Sequence, residues 1–200
     1  MIKPDDSSQW ILKPKIGLGS ISFGMDQKAI NALSVYGPIT GSRDSNPIPE
    51  DEATAFLRTL GVPDSDITAT LGKQAEFARR SILTEARSTG LVLEYDKTGL
   101  FQILADIGAD KLNYDGRFIF REPPLDIIKH LAAALGERPS IFENEVVFAN
   151  NLIFLFEFVK VSKDGPSSYL DGSRGDRSII WRSKPREMGE DLSKYRMMEL

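Results

Sequence analysis

The chain has 200 residues, 25 of them basic and 29 acidic, for a net charge of −4, with one histidine and no cysteine. The lack of cysteine excludes disulfides, thiolate metal sites, iron–sulfur clusters and cysteine nucleophiles, and it fits a reducing compartment, so a cytoplasmic location is expected. The single His130 excludes any site that needs two imidazoles.

The first residues, MIKPDDSSQW, carry two acids and no apolar core, and no later stretch nears the roughly 18 apolar residues of a membrane span, so neither export nor membrane insertion is expected. The basic residues are scattered without a five-residue cluster, which gives no footprint for direct nucleic-acid binding.

In chain order, Gln9–Lys13 reads as a short strand, and Ile16–Gly24 as a glycine-loosened extended segment. A helix then starts at the N-cap Asp26, carries Ala29, Ile30, Leu33 and Tyr36 on one face, and stops at Gly37-Pro38. Residues 39–49 are rich in Gly, Ser, Asn and Pro and are expected to form a loop. A second helix starts near Pro49, with Glu50, Asp51 and Glu52 at its positive end and Ala53, Phe56, Leu57 and Leu60 as its stripe. Near-helical spacing of Ile67, Leu71, Ala75, Ala78, Ile82 and Ala86 extends helix over about 65–87, with Gly72 able to divide it.

The period then changes. Leu91–Tyr95 and Leu100–Ala105 flank Asp96–Gly99 as a hairpin, and Lys111–Tyr114 and Arg117–Phe120 flank an Asp115-Gly116 turn. Pro124–Leu135 is an amphipathic helix with Leu125, Ile128, Leu131, Ala132 and Leu135 inward and Gly136 closing it. Strands follow at Glu145–Phe148, Leu152–Val161 and Arg177–Trp181. Ser162–Asp176 is a long loop, functional or disordered, and Lys184–Leu200 is a peripheral helix or frayed tail.

The fold expected is α+β, an antiparallel sheet with helices packed on one side. Gly19–Gly37 and Gly116–Pro139 share a pattern of extended residues ending in Phe, a helix and a Gly/Pro stop, each followed by strands, which raises the option of two related helix-then-sheet units. On this reading residues 1–200 form one domain, with halves 9–115 and 116–183 and a tail at 184–200.

Chemistry-bearing patterns are few. Gly17-Leu18-Gly19 with Gly24 has neither dinucleotide nor P-loop spacing, and Asp171–Asp176 lacks the terminal Glu of a calcium loop. His130 sits one residue off the apolar stripe of its helix, without a nearby serine. Carboxylate pairs are too numerous to be selective, which leaves an acid-based enzyme open. No catalytic residue, metal or cofactor is assigned. Acids on turns, with aromatics close in sequence, form instead a candidate surface for a basic protein partner: Asp110, Asp115, Glu143, Glu145, Asp164, Tyr169, Asp171 and Asp176.

Segment 10–38, with Gly-x-Gly-x-Ile-x-Phe-Gly-Met at Gly17–Met25, a short helix and a closing Gly-Pro, resembles β-lactamase-inhibitor-protein-like units and bacterial immunity proteins of contact-dependent and type VI toxin systems. Segment Leu91–Phe120 is similar to the remainder of such two-unit proteins. The resemblance covers about half the chain and implies a non-enzymatic inhibitor that binds a cognate protein toxin, often through a sheet face or acidic loops set against a basic nuclease surface. The helical insertion across residues 50–87 departs from a simple tandem repeat. The alternative is a structural or regulatory scaffold domain in a larger cytoplasmic complex.

Overall fold

The computed structural model describes residues 6–44, 50–68, 82–163, 168–185 and 191–200. A helical turn at Asp6–Trp10 leads into a small antiparallel sheet of β1 (Leu12–Lys13), β2 (Gly17–Leu18) and β3 (Ile21–Ser22). Helix α1 (Gln27–Asn31) follows, its N-cap Asp26 accepting the Ala29 N–H at 2.7 Å. Next come β4 (Ile39–Asp44), α2 (Glu50–Thr59), a helical turn at 64–68, β5 (Leu83–Arg87), β6 (Leu91–Asp96) and β7 (Gly99–Asp106). The hairpin of β8 (Asn113–Tyr114) and β9 (Arg117–Phe118) precedes α3 (Pro124–Leu135), which starts on a proline and ends at left-handed Gly136. The remaining strands are β10 (Ser140–Phe142), β11 (Glu145–Phe148), β12 (Ile153–Phe156), β13 (Val159–Val161), β14 (Tyr169–Asp171), β15 (Ser178–Arg182) and β16 (Arg196–Met197).

The architecture is α+β, built on a nine-stranded antiparallel sheet in the order β16-β10-β11-β12-β15-β7-β6-β5-β4. Apart from β16, that order reads the same outward from the central β7–β15 pair. Helix α1 is followed by the four strands β4 to β7, and α3 by the four strands β10, β11, β12 and β15. Two helix-then-sheet units thus join edge to edge through their last strands. The 115/116 boundary between the expected halves falls within the β8–β9 turn, where Tyr114 pairs with Arg117.

One row of side chains crosses the helix-facing side of the sheet as Phe148, Ile153, Trp181, Ile103, Leu93 and Glu85; a second runs Ile141, Val146, Leu155, Ile179, Ala105 and Leu91. Ile30 of α1 and Ile127, Ile128 and Leu131 of α3 enter the same buried cluster. Trp181 is fully buried and donates its indole N–H to the Gly17 carbonyl at 2.8 Å, which pins the N-terminal sheet over the centre. A Cβ at Gly17 would lie 2.0 Å from the Ile21 carbonyl oxygen, and one at Gly19 2.1 Å from that of Gln9. The glycine pair therefore serves close backbone approach. His130 lies half-buried within α3, donating from Nε2 to the Tyr114 carbonyl at 3.2 Å.

Several expected elements are corrected. Residues 39–44, read as loop, are a strand; β4 is the sheet edge among the described residues, with every residue exposed, so neither face carries an apolar alternation. The helix expected over 65–87 is helical at 64–68, its residues 69–81 lie outside the described residues, and 83–87 is strand. Its buried positions include Glu85 and Arg87, so charge disguised the period of two. Leu152–Val161 is two strands broken at Glu157, and the 162–176 loop contains β14 and a helical turn at Arg174–Asp176. The C-terminal segment, expected to be a helix or frayed tail, adds β16 to the sheet and buries Met198. Leu192 and Tyr195 pack on Val147, Leu152, Phe154 and Ile180, which cover the second face.

The unit carrying α1 ends its buried row in a charge. Glu85 is fully buried and accepts from Arg87 at 2.9 Å, from Gln27 of α1 and, at 3.5 Å, from the Tyr95 hydroxyl; Arg87 also donates to Asn31 of α1. Burial, then the Glu85 charge, push the Tyr95 hydroxyl up to about 12. Each buried Leu or Ile contributes about 1.5–3 kcal/mol, whereas stranding one partner of a buried ion pair costs about 3–5 kcal/mol. Glu85→Ala is therefore expected to destabilise by about 3–5 kcal/mol in urea titration, and the double variant Glu85→Leu/Arg87→Met to recover most of that loss. A double variant as unstable as the single one would show that the network contributes more than charge compensation.

Candidate partner-binding cleft

Strand direction decides where the loops meet. In a meander, the first and third turns lie at the same end of the sheet. In the second unit these are the Glu143-Asn144 turn between β10 and β11 and the 157–177 excursion between β12 and β15. They are bonded together: Glu157 N–H donates to the Asn144 carbonyl at 3.0 Å and Val161 N–H to the Glu143 carbonyl at 3.2 Å. Between them and β16 opens a cleft of about 570 Å³ lined by Ile141, Phe142, Glu143, Asn144, Glu157, Lys160, Val161, Lys194 and Arg196.

Glu157 organises this end. Its carboxylate accepts the Ser173 N–H at 3.0 Å and the Asn144 side-chain amide, and it pairs with Lys160 at 3.1 Å. Led by the Ser173 N–H, these donors hold its carboxyl below the usual carboxylate range. Both Glu143 and Glu157 have left-handed backbones, with φ of 52° and 55°. Such conformations cost non-glycine residues about 1–2 kcal/mol each and persist where the surroundings over-determine them.

The named acids distribute unevenly. Glu143 lines the cleft, and Glu145, on the next strand, accepts the Tyr195 hydroxyl at 2.7 Å. Burial and then Glu145 raise the Tyr195 pKa, and its ring lies 5.6 Å from that of Phe142. Tyr169 and Asp171 pair with Val161 and Val159 across the β13–β14 hairpin, and Asp176 accepts the Ser173 hydroxyl at 2.6 Å. Five of the named residues thus gather at one end. Asp110 is instead paired with Arg121 at 2.8 Å, and Asp115 occupies the β8–β9 turn at φ 48°. Asp164 lies outside the described residues.

The cleft residues that sequence reasoning missed are Asn144, Glu157, Lys160, Lys194 and Arg196. They reverse the local sign, because the lining carries three cations against two carboxylates. Arg196 reaches this position only through the pairing of β16 with β10, opposite Ile141. Its Nη2 is buried without a hydrogen-bond partner. Arg177 is also buried, with Nε unpartnered, its guanidinium 6.0 Å from the centre of the Phe158 ring. Burial lowers its pKa, and the Asp171 charge opposes that.

No described helix is long and apolar enough to cross a membrane. Comparison with protein-family models, characterised proteins and solved structures finds no match.

Because the folded-state pKa of Glu157 is depressed, its contribution to stability is present above the ordinary Glu value of about 4.3 and is lost as pH falls through the lower folded value. On acidification, the Ser173 amide resonance is expected to stay in place through the ordinary Glu range and to move below it. In Glu157→Gln that acid transition should vanish. An unchanged transition in the variant would assign it to another group.

Proposed function

We propose that this protein is a non-enzymatic binding protein that neutralises a cognate bacterial toxin in the cytoplasm by tight protein–protein association, using the cleft end of the sheet as its contact surface. The carrying observation is the arrangement around Tyr169. Its hydroxyl accepts the Glu199 N–H at 3.0 Å and so ties β14 to the C-terminal segment, while the neighbouring Leu170 and Leu200 remain 57% and 46% exposed. Leu170 sits opposite Lys160, which lines the cleft. Glu143, Asp171 and Asp176 are also exposed at this end of the sheet. Apolar and aromatic anchors inside a polar rim are the composition of protein-binding surfaces. The exposed acids suit contact with basic side chains of a toxin such as a nuclease, beside the cations of the cleft.

The likeness of segment 10–38 and Leu91–Phe120 to toxin-immunity proteins supports the toxin as partner. The mirrored order of the two four-stranded units agrees with the two-unit organisation of such proteins. A cysteine-free composition suits cytoplasmic action.

The second reading, a scaffold domain in a larger complex, is favoured by the β4 edge, exposed along its whole length, and by Phe56 of α2 and Leu60 just after it, 64% and 63% exposed. Concentration-dependent self-association in sedimentation, without any toxin partner, would favour it over toxin neutralisation.

Growth rescue tests the main reading. Co-expression with the toxin encoded beside the gene is expected to protect cells, and Leu170→Asp to weaken the complex at least about tenfold with an unchanged circular dichroism spectrum. Leu170 is a cleaner probe than Asp171, whose charge also compensates Arg177. No protection by the wild-type chain would overturn toxin neutralisation. Protection with full affinity in Leu170→Asp would place the contact surface elsewhere.

A further inference from the structure

We propose that the cleft is a binding site for a carboxylate carried on an apolar body. The inference goes beyond the toxin-binding reading and does not depend on it, because it concerns a ligand that the isolated chain should hold.

The cleft has two kinds of wall. Ile141, Phe142 and Val161 supply apolar surface, and Lys160, Lys194 and Arg196 supply cations. Its volume of about 570 Å³ falls within the range of small-molecule sites, which pair apolar lining with a few placed polar groups.

The fold consumes only part of this charge. Glu157 is committed to Ser173, Asn144 and Lys160. Arg196 differs, because its side chain makes no hydrogen bond or ion pair among the described residues, and its Nη2 lies buried behind the cleft surface. A carboxylate is the acceptor that matches an unpaired guanidinium in charge, and bidentate contact through Nη2 requires the side chain to turn toward the ligand. Lys194 also lies near Asp191, so its role is to add field to the site.

The charge balance selects among oxyanions. Three cations and two carboxylates line the cleft, and Asp191 lies near Lys194, so the local positive excess is at most one. A monoanion matches that excess, whereas a phosphate dianion overshoots it beside Glu143. A neutral ligand leaves Arg196 unmatched, and a bare inorganic anion leaves the apolar wall uncovered.

Nuclear magnetic resonance titration of the intact chain with benzoate, phenyl phosphate, inorganic phosphate and benzyl alcohol tests the proposal. Benzoate is expected to shift the amides of Glu143, Asn144, Lys160 and Arg196 in a saturable way. Each of the other three probes should bind at least severalfold more weakly. Arg196→Gln should weaken benzoate about tenfold or more, and Arg196→Lys should fall in between because it keeps the charge and loses the fork. Lys194→Gln, at an exposed side chain, gives a second variant that leaves the fold intact and should cost severalfold. Absence of saturable shifts at these residues, benzyl alcohol binding as tightly as benzoate, or unchanged benzoate affinity in both Gln variants would overturn the proposal. Phenyl phosphate binding more tightly than benzoate would overturn the assignment to a monoanion.

Discussion

The antiparallel pairing of β7 with β15 is the constraint on which the rest of the molecule depends. Each unit alone is a helix over four strands, with one face to cover and a central edge to satisfy. Joining Gln102–Asp106 to Ser178–Arg182 removes both central edges and aligns the two halves of each buried row. Trp181 stands at that junction, opposite Ile103, and its bond to Gly17 brings the N-terminal sheet onto the seam. Because the paired residues are distant in sequence, this closure is non-local and costs chain entropy before it contributes burial, a topology associated with slower folding.

The same arrangement explains why the two ends of the sheet differ. The first unit places its long insertion between its first and second strands, and the second unit between its third and fourth. The β4–β5 insertion, with α2, therefore emerges at one end of the sheet. The β12–β15 excursion emerges at the other, beside the tight Glu143-Asn144 turn. The cleft is what remains when an excursion folds back against a short hairpin and β16 runs along the outer edge. The opposite edge strand, β4, has no such partner among the described residues and shows the bulge between Ile39 and Gly41 and the charged pair Arg43-Asp44 that blunt an open edge.

Much of this fold was legible because apolar period tracks burial. Helix α3 matches its expected span from Pro124 to Gly136, and the Leu91–Ala105 hairpin is visible from alternation and its Asp96–Gly99 turn. The misses have a common origin in strands whose period carries no apolar signal. On β5 the inward positions include Glu85 and Arg87, on β4 neither face is buried, and β16 is only two residues long. The candidate site was legible to the extent that its acids lie on turns, which gave Glu143, Glu145, Tyr169, Asp171 and Asp176. Its cations were not, because Lys160 and Arg196 meet only after β10 has paired on one side with β11 and on the other with β16.

The energetics of the cleft end separate what the fold uses from what it leaves over. Left-handed Glu143 and Glu157 together cost a few kcal/mol by the usual penalty for non-glycine residues, and the carbonyls of this turn take the N–H groups of Glu157 and Val161 in return. Glycine at either position would relax the backbone, yet it would also delete a carboxylate: the one at 157 holds Ser173 and Asn144, and the one at 143 lines the cleft. The Glu157 side chain thus has a structural reason to be where it is. That of Glu143 makes no hydrogen bond among the described residues, so at this position the backbone, whose carbonyl takes the Val161 N–H, has the structural role. A left-handed residue tied down through its own backbone contacts is strain that the surrounding fold over-determines.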